Sequence, residues 1–139
     1  MAIRMILPYP PTVNHYWKTS VIRKGRRHVP HVYIDLEGQE YRKRVKWYLE
    51  GIPTVEGLVN VIIVVNPPDK RRRDLDNLLK CLLDSLTHAG LWADDSQVDR
   101  IALFRGEVIP GGQVSLVVEQ QKDFSFSLFR DAAEAAKEV

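Results

Sequence analysis

Residues Lys70 to Gly90 read KRRRDLDNLLKCLLDSLTHAG. The second half of this stretch predicts a helix over Asp76 to Ala89. At 100° per residue, Leu75, Leu78, Leu79, Leu82, Leu83 and Leu86 share one side. Asp76, Lys80, Asp84 and Thr87 fall on the opposite side, and Gly90 is a good C-terminal cap. The first half is a basic approach, Lys70 to Arg73, followed by Asp74 and Asp76. Two acids at i and i+2 point roughly 200° apart on a helix. In extended chain they project to the same side. Both can serve one metal only where extended chain turns into helix between them, which is where the pattern sets the junction. Acids placed among arginines suit a site that holds a divalent cation and a phosphate together. That combination points to metal-dependent nuclease chemistry.

The elements on either side define the fold class. Val59 to Val65 is nearly continuous β-branched sequence, as in a strand buried on both faces, and Asn66, Pro67 and Pro68 end it. Beyond the helix, Val98 to Val108 and Val114 to Gln120 read as strands. Pro110, Gly111 and Gly112 between them predict an antiparallel hairpin. Towards the N-terminus, Asp35 to Leu49 reads as a helix with Asp35 as N-cap and Gly51 and Pro53 as stops. Its apolar positions are Val45, Tyr48 and Leu49. Thr12 to His31 is polar, basic and aperiodic, and is expected to be a long mobile loop. Ala2 to Leu7 reads as a strand closed by Pro8, Pro10 and Pro11. The expected architecture is one α/β (α+β) domain, residues 1–120, with a small mixed sheet in the order β-α-β-α-β-β. Residues 121–139 form an extension whose alanine-rich, acidic end predicts a short appended helix.

Composition narrows the classes. A chain of 139 residues with 45% hydrophobic content is expected to form one globular domain rather than a disordered segment. The formal net charge is only +2, but the charge is clustered. Lys18, Arg23, Lys24, Arg26 and Arg27 lie in an acid-free run, and Arg42 to Lys46 and Lys70 to Arg73 form two further blocks. Such blocks suggest local anion-binding surfaces; each taken alone also fits a solvated loop or helix face. Cys81, the one cysteine, has no partner for an intrachain disulfide and reads as a buried thiol in a reducing compartment. No signal peptide or membrane span is evident, so a cytoplasmic protein is expected.

The candidate site is built from Asp74, Asp76, Lys80 and Asp95. Asp94 and Asp95 follow the helix through the passage Gly90-Leu91-Trp92, and spacing does not decide which of them reaches the other acids. Carboxylates without a histidine or thiol cluster favour a hard cation, Mg²⁺ or Mn²⁺, over zinc. Lys80 would stabilise charge on phosphoryl oxygens. The structural alternative is an Asp76–Lys80 surface pair worth about 0.2–0.5 kcal/mol, with Asp84 pairing with Lys80 from the other side. Arg71, Arg72 and Arg73 are suited to gripping phosphates. His15, His28, His31 and His88 have no metal-ligand spacing. Tyr16 and Trp17 are candidates for stacking on bases, whereas Trp47 and Trp92 are assigned to the core.

The segment KRRRDLDNLLKCLLDSLTHAGLWADDSQVDR, Lys70 to Arg100, resembles the RusA-type Holliday-junction resolvases. The shared pattern is R-R-D-x-D-N-x-x-K, then D-A/S-L-T-x-A-G-x-W-x-D-D-x-Q-V. LPYPPTVNHYW, Leu7 to Trp17, is similar to that family's opening strand and proline motif. The resemblance covers Met1 to about Gln120. It implies metal-binding carboxylates at Asp74, Asp76 and Asp95, a catalytic lysine at Lys80, approach arginines at Arg72 and Arg73, and the family's asparagine at Asn77. It further implies a homodimer that recognises four-way DNA junctions and uses Mg²⁺ to make paired nicks, with no organic cofactor. The expected DNA-contacting set is Arg71, Arg72, Arg73, Lys18, Arg23, Lys24, Arg26, Arg27, Asn14 and Tyr16. Val13, the long basic Lys18 to His31 stretch and the tail after Gln121 depart from the family pattern. The competing expectation is a non-catalytic branched-DNA-binding module of the same fold.

Overall fold

The computed structural model describes residues 2–12 and 16–121. Asn14, His15 and the expected C-terminal helix lie outside the described residues. The element order is β1 (Ala2–Pro8), β2 (Trp17–Lys24), β3 (Arg27–Ile34), α1 (Leu36–Tyr48), β4 (Val59–Asn66), α2 (Asp76–His88), a 3-10 turn (Asp95–Gln97), β5 (Val98–Arg105) and β6 (Gln113–Gln120). The main sheet runs β1-β6-β4-β5, and β2-β3 form a separate two-stranded ribbon. The fold is α+β with a mixed sheet, as expected.

β4 is the centre of the fold. Val59, Val61 and Ile63 are fully buried on the helix side, and Asn60 and Ile62 are also buried on the other. A strand buried on both faces at the middle of a sheet needs ladder partners on both edges. β4 finds them in β5, which runs parallel, and β6, which runs antiparallel. β6 also pairs antiparallel with β1. The expected β5–β6 hairpin is therefore not formed, because β4 lies between the two strands. The connection from β5 crosses the end of β4, where the Gly106 N–H bonds the Val65 carbonyl at 2.8 Å and the Ile109 N–H bonds that of Pro67 at 2.9 Å. A turn signal fixes where the chain bends; it does not choose the strand's partner.

Both helices pack on one face of the sheet. Leu78, Leu82 and Leu86 of α2 are 0–2% exposed, and Cys81 and Ser85 beside them are fully buried. The burial of Cys81 pushes its thiol up to about 12. Truncating Leu82 or Leu86 to Ala here would cost about 2–5 kcal/mol. On α1 the buried stripe is Tyr41, Val45 and Leu49. Trp47 follows Val45 by two positions, a rotation of about 200°. It is 70% exposed and not in the core, and Tyr48 is 44% exposed. Trp92 is buried as expected, with its indole N–H donating to Thr87 Oγ1 at 2.7 Å.

The expected Thr12 to His31 loop is largely β2 and β3. Trp17 pairs with Ile34 and Lys24 with Arg27, and Gly25 opens the two-residue turn at φ 63°. A positive φ at that first turn position suits the twist of a tight hairpin, and glycine adopts it without strain. The ribbon was hidden from periodicity because neither face is buried deeply enough to impose alternation. Val21, Val32 and Tyr33 are 66%, 59% and 40% exposed.

Candidate active site

The site starts where β4 ends. Pro67 and Pro68 stop the strand, and the chain then runs without regular structure to α2, which begins at Asp76. Asp74 lies at the end of this irregular approach, and the Asn77 N–H bonds its carbonyl at 3.3 Å. Helix begins between Asp74 and Asp76 as expected, but the approach is a run of bends rather than a strand. Asp74, Asp76 and Lys80 are all exposed. An open cleft of about 440 Å³ lies beside Asp74, lined by Tyr9, Thr12, Arg72, Arg73, Asn77 and Leu78.

The approach is braced by a clamp. Arg73 donates to both oxygens of Asp69, at 2.5 and 3.0 Å, and the Arg71 N–H donates to Asp69 Oδ1 at 2.9 Å. Arg105 ties β5 to the same segment through the Arg73 carbonyl at 2.6 Å. The Arg73 hydrogen bonds, with help from the Arg71 N–H, hold the Asp69 carboxyl down at about 2. The side chain of Arg73 is 23% exposed and its fork is taken by Asp69, whereas Arg71 is 84% exposed. Arg71 and Arg72 are the arginines of this run turned to solvent.

After α2 the chain returns in an ordered turn. The Leu91 N–H bonds the Leu86 carbonyl at 3.1 Å, and the Val55 N–H bonds the Leu91 carbonyl at 2.7 Å. Asp94 caps the 3-10 turn by accepting from the Ser96 N–H. Gln97 Oε1 accepts from the N–H groups of Ala93 and Asp94, while its Nε2 donates to the carbonyls of Val55 and Gly57. Asp94 and Gln97 are thereby the residues that shape the turn. The Asp95 carboxyl is raised above the usual range by hydrogen bonding to the Asp94 carboxyl, then by burial and the Asp94 charge; Asp84 adds to the rise and Lys80 opposes it. Among the described residues, no group of three His, Cys, Asp or Glu side chains is arranged to hold a metal ion. The donor chemistry of Asp74, Asp76 and Asp95 fits a hard divalent cation, but their carboxylates are not gathered in this structure.

Sequence reasoning did not single out Arg42, and it offered Asp84 only as a partner for Lys80. Arg42 of α1 donates to Asp84 Oδ2 and to the Tyr16 hydroxyl, both at 2.8 Å, and the Tyr16 hydroxyl donates to the same Asp84 oxygen. Asp84 is thus engaged by α1 and Tyr16 rather than left to pair with Lys80 alone. Tyr16 is fully buried, so it is not a base-stacking side chain. Burial, with the Asp84 hydrogen bond, raises its hydroxyl far above the usual phenol value. Gly38 permits the packing: a Cβ there would meet the Tyr16 ring at 2.6 Å and the Ile34 side chain at 2.8 Å. The available signal was spacing, since Asp84 repeats the i, i+4 stripe begun by Asp76 and Lys80.

The ribbon divides its cations between two faces. Register puts Lys18, Lys24, Arg27, His31 and Tyr33 on one face and Arg23, His28, Val21, Pro30 and Val32 on the other, with Arg26 in the turn. His31 and Tyr33 stack at 5.8 Å between ring centroids and 17° between planes. The first face therefore combines cations with an exposed pair of rings.

Comparison with known proteins gives concordant results. The family model described as Endodeoxyribonuclease RusA matches residues 8–118. The chain is 39% identical over 120 residues to the crossover junction endodeoxyribonuclease of Enterobacteria phage HK97, covering 84% of this chain and 93% of that protein. It is 39% identical over 117 residues to the enzyme of the same name from Enterobacteria phage 82, covering 82% and 91%. The Escherichia coli K12 enzyme of that name is 38% identical over 117 residues, again covering 82% and 91%.

Proposed function

The chain belongs to the RusA family of endodeoxyribonucleases, and on that premise we propose that it is a crossover junction endodeoxyribonuclease, a Holliday-junction resolvase. One arrangement supports this reading above all. Asp74 precedes and Asp76 opens α2, with an open cleft beside Asp74 and Lys80 one turn further on. The family's nuclease chemistry requires a divalent cation, which we assign as Mg²⁺, with Mn²⁺ able to replace it. Asp74, Asp76 and Asp95 would hold it; when bound, it supplies an activated water and neutralises charge on the scissile phosphate. Asp94 stays with the turn it caps.

The remaining steps belong to the chain itself. The N-terminus of α2 directs the positive end of its dipole towards the cleft, which favours a phosphate there. Lys80 stabilises the charge that builds on the phosphoryl oxygens as the ester bond breaks. Arg71 and Arg72 neutralise neighbouring backbone phosphates, and Arg73 holds the loop that presents them. The ribbon face bearing Lys18, Lys24, Arg27, His31 and Tyr33 follows a duplex arm away from the cut, and Arg23 and Arg26 add positive charge around its tip. Two copies in a symmetric homodimer would offer paired sites to a junction of approximate two-fold symmetry, giving paired nicks. Recombination in a bacterial or phage-infected cytoplasm is the setting in which that activity fits.

The test is cleavage of a labelled mobile four-way junction beside linear duplex of the same sequence, with Mg²⁺ and with EDTA. Paired symmetric nicks confined to the junction and abolished by EDTA are the expected result. Tight junction binding with no nicks in any divalent metal would replace the enzyme with a branched-DNA-binding module.

A further inference from the structure

Asp84 sits on the same stripe of α2 as Asp76 and Lys80. It brings a negative charge to the edge of a site that must accept an anionic phosphate. Asp84 follows Lys80 by four residues, so the two side chains are neighbours on one face of α2. A carboxylate left uncompensated there would repel the phosphate and compete with it for the Lys80 ammonium.

The fold answers that charge from another element. The Arg42 guanidinium meets Asp84 at 2.8 Å, the side chains being 22% and 28% exposed respectively. Tyr16 closes the cluster from the base of the ribbon, and the Asp35 N–H bonds the Tyr16 carbonyl at 2.8 Å. Partial burial matters here: a fully solvated pair would be weakened by water and salt, whereas this one keeps much of its attraction.

We propose that Arg42, held with Tyr16 against Asp84, is a positioning residue for cleavage: it cancels the Asp84 charge so that Lys80 serves the scissile phosphate. This inference rests on the assignment of Lys80 as catalytic. Its outcome differs from that of a brace which merely ties α1 to α2. Removing Arg42 exposes the Asp84 charge and slows cleavage, and then removing that charge restores the rate, with the enzyme folded at the assay temperature throughout. A brace would change thermal stability and rate together, because its loss leaves a part-buried carboxylate unpaired; rates that simply follow thermal stability across the variants overturn the proposal.

The experiment is single-turnover cleavage of a four-way junction at saturating full-length enzyme with Mg²⁺, alongside junction binding in EDTA and thermal unfolding. Arg42→Ala is expected to slow cleavage about tenfold, as an uncompensated charge near the reacting phosphate would. Arg42→Ala with Asp84→Asn is expected to recover to within about threefold of the parent rate. A double variant as slow as Arg42→Ala, with both proteins folded, overturns the proposal. If Arg42→Ala melts below the assay temperature, Arg42→Lys and Arg42→Gln replace it. Lys keeps the charge and Gln keeps only hydrogen bonding, so a fast Lys variant with a slow Gln variant supports the proposal. Equal rates overturn it. Lys80→Ala runs beside them: full activity there removes the premise, a result distinct from failure of the Arg42 pair.

Discussion

Two basic stretches of this chain carry similar charge in opposite mechanical settings. Lys70 to Arg73 is anchored at its end: Asp69 clamps Arg73, Arg105 holds its carbonyl, and α2 beyond it is bolted into the core by Leu78, Leu82 and Leu86. Lys18 to Arg27 lies on a ribbon that, among the described residues, pairs only with itself and belongs to a separate sheet. The difference separates two tasks that charge alone does not. Chemistry needs groups fixed to within a fraction of an ångström, so the loop that leads to the site is held by a clamped arginine. Following a DNA backbone needs charge and reach more than fixed position.

The sharpest way to break this comparison is at the anchored end. Asp76→Asn keeps size and hydrogen bonding but removes a charge at the start of α2. Cleavage is expected to fall about a thousandfold or more, because several kcal/mol of charge stabilisation in the transition state depends on that carboxylate. Junction binding measured in EDTA should remain, since none of the phosphate-facing cations is touched. Lost binding accompanied by lost folding would show that Asp76 supports α2 and does not serve the reaction.

At the free end the opposite profile is expected. Lys18→Ala, Lys24→Ala and Arg27→Ala together remove three cations from one face. The slope of log affinity against log salt should fall by about 2 to 3, and junction affinity by about tenfold or more at moderate salt. The cleavage rate at saturating enzyme should change little. Fluorescence anisotropy at several salt concentrations, paired with single-turnover rates, separates the two. A loss of rate at saturation would mean that the ribbon positions the scissile strand and so belongs with the anchored end.

These two regions were also unequally legible in the sequence. The start of α2 between Asp74 and Asp76 could be read because the helix is strongly amphipathic and its beginning follows from where leucines start repeating. β4 was legible for the same reason, since burial on both faces leaves an unbroken apolar run. The ribbon was not legible, as its strands are solvated on both faces and obey no alternation. Trp47 was misplaced because size and aromaticity suggested the core, while helical phase relative to Val45 put it outside. The β5–β6 pairing failed for a topological reason: the chain that supplies β4's second edge is chosen by the whole sheet. The Arg42–Asp84–Tyr16 cluster joins three distant segments, and a single sequence does not announce such contacts. Asp94 and Asp95 were indistinguishable by spacing, and only the turn's hydrogen bonds give Asp94 its capping role.

The clamp itself gives a smaller, pH-dependent effect. Asp69 has its carboxyl at about 2 when folded, against an ordinary value of 3.8. A depressed carboxyl contributes its share of order above the ordinary value and loses it as pH falls through the folded one. The Arg71 amide, which donates to Asp69, should be protected from hydrogen exchange above about pH 4 and lose a few-fold of that protection towards pH 2. Arg73→Ala should narrow that window by letting Asp69 protonate nearer 4. Protection of Arg71 that stays flat across the range would mean that the loop is held by Arg105 alone.

The smallest expected effect tests whether the ribbon's second face contributes to folding at all. Val32 is 59% exposed opposite Thr19, on the face away from the stacked His31 and Tyr33. A valine that buries little surface has little transfer free energy to lose. Val32→Thr keeps the β-branched shape that a strand favours and adds only a solvated hydroxyl. Unfolding free energy by urea titration should therefore stay within about 0.5 kcal/mol of the parent. A loss of 2 kcal/mol or more, of the order seen on truncating a core leucine, would mean that this face is covered in solution. The ribbon would then be a supported arm, and the contrast between anchored and free cations would have to be redrawn.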